Sequence, residues 1–207
     1  MSRTKPAAQR RGDLMTAGQR LFVAKGVAAT TLDDITRGAG MSKGLFYQYF
    51  RSKEDLVGAL QEQFSRELAG QLRAAAAALD DWGAKLDACA QASFEWYRDR
   101  HDLHEVLFRH AGHEAAPGHH HAPGHEAAPG HDDGYGPAIE ALRELLDAGV
   151  GAGAFTVADT ETTAVLFYMV MHAFDPDAHG HGPAGGPLVR ATQQLFRRTA
   201  GVAGEPS

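Results

Sequence analysis

The chain has 207 residues, of which 43% are apolar, and a formal net charge of −6 at pH 7. This length allows one sizeable hydrophobic core, or a small domain joined to a larger one. No apolar run approaches the roughly 18 residues of a membrane span, and no apolar stretch follows the basic N-terminal residues, so we expect no membrane anchor, no signal peptide and a cytoplasmic protein.

The charge is distributed unevenly along the chain. Residues 1–53 carry ten lysines and arginines against three acidic residues, a net charge of +7, whereas residues 54–207 carry −13. A basic segment can follow a phosphate backbone while an acidic body stays soluble, so this distribution favours a DNA-binding domain joined to a second domain. The single cysteine, Cys89, allows no internal disulfide bond and fits a reducing compartment.

The first two helices are predicted from spacing and capping signals. Residues 7–26 place apolar side chains at roughly helical spacing and end at a glycine, which predicts a long first helix. Thr31 and Asp34 have the spacing of a capping box, which predicts the start of a short second helix. Glycines at positions 38 and 40 mark its end.

Two more helices follow at once. Ser42 is placed to cap a third short helix with the sequence KGLFYQYF, and Ser52 with Asp55 repeats the capping signal for a long fourth helix over residues 52–79. Two short helices joined by a tight, glycine-containing turn and packed on a longer first helix form a helix-turn-helix.

The rest of the chain is also predicted to be helical. Residues 81–110 favour two helices with a break near residues 100–102, and further helices are expected at about 137–148, 157–174 and 187–200. No convincing strand pattern is present, so the predicted fold class is all-α.

The segments TTLDDITRGAGMSKG and GMSKGLFYQYFRSKEDL resemble the second helix, turn and recognition helix of TetR-type (TetR/AcrR) transcriptional regulators. The resemblance covers about residues 10–56 and keeps the family spacing of Thr31, Ile35, Gly40, Tyr47, Phe50 and Lys53. Two residues depart from the family pattern. Leu45 stands where Thr or Ser is common, which removes a hydroxyl group, and Phe46 replaces the usual Leu.

The resemblance implies a domain plan. Residues 1–53 would form a three-helix helix-turn-helix head, and a long helix would join it to a larger helical body, residues 54–207, for effector binding and dimerisation. A homodimer on a palindromic operator in double-stranded DNA is expected, because one helix-turn-helix reads too few base pairs. The apolar late helices are the expected dimer face; the alternative is that the helix at 157–174 is only the core of the monomer.

The DNA-contacting residues are predicted from their positions around the third helix. At 100° per residue, one arc carries the apolar side chains and the opposite arc carries Gly44, Tyr47 and Gln48. Lys43 and Gln48 are expected to meet base edges, because lysine suits guanine acceptors and glutamine can bridge N6 and N7 of adenine. Gly44 allows close approach of the backbone. The full predicted DNA-binding set is Thr31, Ser42, Lys43, Gly44, Tyr47, Gln48, Tyr49 and Lys53, with Thr31, Tyr47 and Lys53 on phosphates.

The histidines raise a second possibility for the body. The segment at about residues 111–134 repeats APGH and has few large apolar residues, so we expect a mobile loop. Imidazoles can gather around zinc, nickel, cobalt or copper. A candidate metal set combines an early helical pair with late histidines: His101, His104, His172 and His179.

Two effector hypotheses therefore stay open for a protein that we expect to be a repressor and to require no cofactor. In the first, a small apolar or amphipathic molecule releases the protein from DNA and is held by residues such as Phe94, Trp96, Tyr97, Phe108, Phe167 and His172. The alternative is that the aromatic residues of this set only form the core. In the second, the effector is a transition metal, or the protein is a metal buffer. An enzyme is not expected, because no nucleophile elbow, phosphate-binding glycine loop or HExxH motif is present.

Overall fold

The computed structural model describes residues 6–109, 136–173 and 186–202. Within these ranges the chain is helical and contains no strand, which confirms the all-α prediction. The helices are α1 (Ala7–Lys25), α2 (Leu32–Gly38), α3 (Lys43–Phe46), α4 (Lys53–Ala77), α5 (Trp82–Asp99), α6 (His101–His104), a π-helical turn (Glu105–Arg109), α7 (Gly136–Gly151), α8 (Thr160–His172) and α9 (Pro187–Ala200).

Local capping explains several helix boundaries. Thr31 and Asp34 form a reciprocal capping box at α2, and the Ser42 hydroxyl accepts a hydrogen bond from the Leu45 amide at the start of α3. The Asp55 amide donates to Ser52 Oγ at the start of α4. At the other end of the chain, Gly201 ends α9 in the left-handed conformation that favours glycine.

One expected helix is shorter than predicted. The α-helix at KGLFYQYF ends at Phe46 rather than continuing to Phe50. The amides of Gln48 and Tyr49 donate to the carbonyl groups three residues earlier, at 3.2 and 2.9 Å, so the chain tightens into a 3₁₀-like turn. The capping signal at Ser42 set the start correctly but carried no information about this tightening.

The chain divides into two compact units. Among the described residues, the first comprises 6–63 and 102–109, and the second comprises 64–101, 136–173 and 186–202. The first unit has a core of fully buried side chains that includes Leu14, Phe22, Ile35, Phe46 and Leu56. Val106 and Leu107 of the π-helical turn join this core, and Gln61 Nε2 donates to the Leu107 carbonyl at 2.8 Å. The predicted boundary after residue 53 divides a DNA-binding domain from an effector-binding and dimerisation domain, and it stays a prediction.

The second unit is held by contacts between distant helices. The Arg197 guanidinium on α9 contacts both carboxylate oxygens of Asp87 on α5, with a shortest distance of 2.7 Å. The rings of Phe167 on α8 and Phe196 on α9 stack at 3.8 Å between centroids. Two further connections join α4 to α7: Arg73 pairs with Glu144, and the Ala138 amide donates to Ser65 Oγ.

Candidate nucleic-acid interface and effector-binding residues

The turn between α2 and α3 is fixed by a glycine. Gly40 has φ +65°, a conformation that residues with a Cβ rarely adopt. Its amide donates to the Arg37 carbonyl and the Met41 amide to the Thr36 carbonyl, the pair of hydrogen bonds of a Schellman motif. This motif ends α2 abruptly and allows α3 to begin two residues later.

The residues of α3 and the following turn separate into a buried side and an exposed side. Phe46 and Phe50 are buried, and Leu45 and Tyr49 are half-buried. The exposed residues are Ser42, Lys43, Gly44, Tyr47 and Gln48. This burial agrees with the arcs expected from helical spacing. The contacts of the exposed residues with DNA stay a prediction.

Tyr47 is the most prominent aromatic residue on the exposed side. Its side chain is 56% exposed, and its ring packs edge-on against the buried ring of Phe46 at 5.6 Å. The Phe46 contact therefore supports a tyrosine whose hydroxyl can reach outward. Tyr49, also predicted to contact DNA, is partly covered by the core of the first unit.

Lys43 and Thr31 both meet acidic residues of α2. Lys43 Nζ lies 2.9 Å from Asp33 Oδ1, with both side chains more than half exposed. Thr31 Oγ1 donates to Asp34 Oδ2 at 2.8 Å, and Lys25 Nζ lies 2.6 Å from the same oxygen. The hydrogen bond from Lys25, followed by those from Thr31, holds the pKa of Asp34 well below its ordinary value. The role of Asp33 was missed, because pairing between two helices leaves no local signal.

Lys53 has an intramolecular role that the sequence did not indicate. Its ammonium donates to the carbonyl groups of Val27 and Thr30, at 2.8 and 3.2 Å, and so ties the start of α4 to the α1–α2 loop. An ammonium has three N–H donors, so one remains for another acceptor. The predicted phosphate contact stays a prediction and depends on that third donor.

The predicted effector-binding residues fall into different surroundings. Tyr97 is buried, and its hydroxyl lies 3.4 Å from Nδ1 of the half-buried His172, which also lies 3.2 Å from the Tyr168 hydroxyl. Phe94 is buried in the same unit, and Phe167 stacks on Phe196. Phe108 belongs to the first unit, where it packs against His104. Within the second unit, the structure thus brings together Tyr97 and His172 of the predicted set.

Comparison with known proteins identifies the head. Residues 14–60 match the family model described as "Bacterial regulatory proteins, tetR family". The head of this chain is therefore of the TetR type. The matched segment runs from the middle of α1 into α4 and contains the α2–α3 turn and the whole exposed side of α3.

Two curated relatives and one solved structure give the extent of the similarity. The chain is 31% identical over 103 residues to the HTH-type transcriptional activator FasR of Mycolicibacterium smegmatis, which covers 50% of this chain and 47% of FasR. It is 36% identical over 86 residues to the HTH-type transcriptional repressor KstR2 of Rhodococcus jostii, 42% of each chain. The chain thus spans about half the length of the curated relatives it matches.

The structural match extends further than the sequence matches. A bacterial regulatory protein in the tetR family from Rhodococcus RHA1 is 22% identical, with a TM-score of 0.65 over 97% of this chain and 100% of that one. At this identity the match shows a shared fold. The helical body predicted for the C-terminal part is therefore present.

No metal centre is formed by the residues that the structure describes. His101, His104 and His172 lie in described helices, but no group of three or more His, Cys, Asp or Glu side chains in those ranges could hold a metal ion. His179 and the segment at 111–134 lie outside the described residues, so the metal set stays a prediction. Burial raises the pKa of the Cys89 thiol to about 12, so this sulfur stays protonated at neutral pH. None of the described helices is both long and apolar enough to cross a bilayer.

Proposed function

We propose that this chain is a TetR-type, dimeric DNA-binding transcriptional regulator, a repressor that a small effector releases from a palindromic operator. The observation that carries the proposal is the exposed side of α3. Lys43, Gly44, Tyr47 and Gln48 are all solvent-exposed on a short element that the Gly40 turn and the buried Phe46 hold in place. This arrangement suits insertion into a major groove, with side chains on base edges.

Two late helices present an apolar surface suited to the second copy of the chain. Leu166, Met169 and Val170 of α8 are 52%, 59% and 39% exposed. Leu188 and Leu195 of α9 are 40% and 47% exposed. Because Phe167 and Phe196 stack, these two helices are neighbours, and their exposed residues form what we term the α8/α9 face. Exposed apolar side chains on two neighbouring helices favour association, and a two-fold dimer would bury them on both copies.

Release by an effector requires two conformations of the regulator, one that fits the operator and one that does not. The effector must bind these two conformations with different affinities. A hundredfold change in operator occupancy needs a coupling free energy of about 2.7 kcal/mol. The effector would favour a conformation in which the two copies of α3 no longer fit successive major grooves, roughly 34 Å apart. The aromatic residues around Tyr97 and His172 in the second unit are the proposed location of the effector.

The test is a mobility-shift assay with DNA flanking the gene that encodes this chain. We expect a sequence-specific complex that weakens with rising salt. Gln48→Ala should lose discrimination at one base pair of each half-site. Gln71→Ala, which truncates an exposed glutamine on α4, is the matched control and should leave the preference intact. Binding no tighter than to random DNA would refute the proposed function.

A further inference from the structure

Trp96 holds a buried hydrogen-bond donor without an acceptor. Its side chain is 5% exposed, and its indole Nε1–H meets no acceptor within residues 6–109, 136–173 and 186–202. Buried N–H groups nearly always have a partner, because burial removes the hydrogen bond that water would supply. An indole N–H can only donate a hydrogen bond, so a ligand would have to supply the acceptor atom.

A positive charge lies against the same ring. The guanidinium carbon of Arg100 is 3.5 Å from the centroid of the Trp96 ring. In the same unit, Arg73, Arg98, Arg143 and Arg197 each pair with a carboxylate. In the part of the chain that the structure describes, Arg100 has no such partner.

The pair has the chemistry of a carboxylate site. A guanidinium offers several N–H donors in a planar fork that matches the two oxygens of a carboxylate. Because the Arg100 guanidinium lies 3.5 Å over the Trp96 ring, the two donor groups are close enough for one small acceptor group to be shared between them. A carboxylate can accept from both donors at once, whereas a neutral amide offers a single strong acceptor and no charge.

Aromatic side chains continue from this polar pair. The Phe64 ring lies 5.5 Å from Trp96 and 6.0 Å from Tyr97, and Tyr97 contacts His172. All five residues belong to the second unit. Phe64 and Tyr97 offer ring faces, so they suit the hydrocarbon part of an amphipathic molecule whose anionic end lies at Arg100.

We propose that Trp96 and Arg100 recognise the carboxylate of an amphipathic carboxylic acid, and that such an acid is the effector. The proposal rests on the proposed function, since it names the chemical class of the molecule that acts on the regulator. The indole N–H and the guanidinium bind the carboxylate, and the rings of Phe64 and Tyr97 contact the apolar part.

The test uses the fluorescence of Trp96 in the full chain. The chain has two tryptophans, so Trp82→Phe leaves Trp96 as the only reporter. Octanoate and benzoate are titrated against octanamide and benzamide, which match them in size but carry no charge. We expect the acids to shift the Trp96 emission and to bind at least about tenfold more tightly than the amides.

Substitutions distinguish the effect of the Arg100 guanidinium from that of general charge. Arg100→Gln should weaken binding of the acids about tenfold and leave the amides unchanged. Arg98→Gln removes the same charge two residues away, from an arginine already paired with Asp99, and should change neither. Arg100→Lys keeps the charge without the planar guanidinium and should give an intermediate loss of affinity for the acids. It replaces Arg100→Gln in the comparison with Arg98→Gln if circular dichroism shows that Arg100→Gln is unfolded.

Several results would overturn the carboxylate site. These are equal affinities for acid and amide, no binding of either acid at millimolar concentration, equal losses in Arg98→Gln and Arg100→Gln, or competition by inorganic phosphate as effective as by octanoate. The mobility-shift assay keeps the two proposals apart. A chain that binds its operator but no carboxylate loses only the effector class, whereas a chain that binds acids but no specific DNA loses the proposed function.

Discussion

The ammonium of Lys43 lies 2.9 Å from a carboxylate oxygen of Asp33, so the cation expected to meet DNA is already paired with an acid of the preceding helix. Binding to DNA must exchange this partner for a base edge or a phosphate. Both side chains are more than half exposed, so the exchange costs little, but the Asp33 carboxylate stays close to the phosphates after it.

Asp33→Asn should therefore tighten DNA binding. Removing the acid relieves its repulsion of phosphate, and we expect an affinity gain of about threefold, the scale of one exposed charge interaction. Fluorescence anisotropy at several salt concentrations measures the gain, which should shrink as salt rises. Asp80→Asn changes the net charge equally but lies outside the head, in the turn after α4. An equal gain in that variant would show that only total charge matters.

Replacing the two lysines of the predicted DNA interface should change stability by different amounts. Lys53→Met removes the ammonium that binds the Val27 and Thr30 carbonyls, so the free energy of unfolding should fall by about 1 to 2 kcal/mol. Lys43→Met should leave stability within about 0.5 kcal/mol, since its ion pair is exposed, and should relax the sequence preference. Urea unfolding and anisotropy on operator variants measure both quantities; the opposite pattern would reverse these roles.

Two glycines four residues apart should respond differently to alanine. Gly40→Ala forces a Cβ into a left-handed conformation at φ +65° and should cost about 1 kcal/mol of stability or more. At Gly44 an added Cβ would meet only Ser42 Oγ, at 4.0 Å, so Gly44→Ala should fold as well as the parent. Its DNA affinity should nevertheless fall, because the methyl group keeps the backbone away from DNA. A stable Gly44→Ala variant with unchanged affinity would remove Gly44 from the interface.

The capping box of α2 predicts a pH-dependent contribution to stability. The pKa of Asp34 is lowered from its ordinary value of 3.8, mainly by Lys25 and then by Thr31. The folded state therefore favours the ionised form, and the stabilisation is complete above pH 3.8 and is lost as pH falls below it. Asp34→Asn should be destabilising at pH 7, and the difference from the parent should shrink towards pH 2. Urea unfolding at both values tests this; a difference independent of pH would contradict it.

Dimerisation through the α8/α9 face predicts a position-specific effect of charge. Leu166→Glu places a carboxylate in the apolar face and should convert the dimer to monomer, since burying an unpaired charge is costly. Val150→Glu, at an exposed valine of α7, is the matched control and should stay dimeric. Sedimentation equilibrium gives the mass of each variant. Loss of the dimer in both variants, or in neither, would place the contact elsewhere.

Local signals determined how much of this molecule could be predicted. The caps at Thr31, Ser42 and Ser52 act over three residues, and each starts a helix where the sequence indicated. The exposed side of α3 was predicted from the helical spacing of 100° per residue. Contacts between distant residues were not predicted: Asp33 with Lys43, Lys53 with the α1–α2 loop, and the return of Val106 and Leu107 to the core of the head. They depend on helix packing, which residue spacing does not encode.

The last helix performs two tasks at once, because Arg197 and Phe196 fasten it to Asp87 and Phe167 while its leucines face outward. A stop codon before residue 187 would remove both sets of contacts together, which would leave the Asp87 carboxylate of α5 without Arg197 and the Phe167 ring of α8 uncovered. We expect such a product to be less stable than the full chain and to be degraded rather than persist as a partly active regulator. Frameshifts late in the gene should therefore behave as complete loss-of-function alleles.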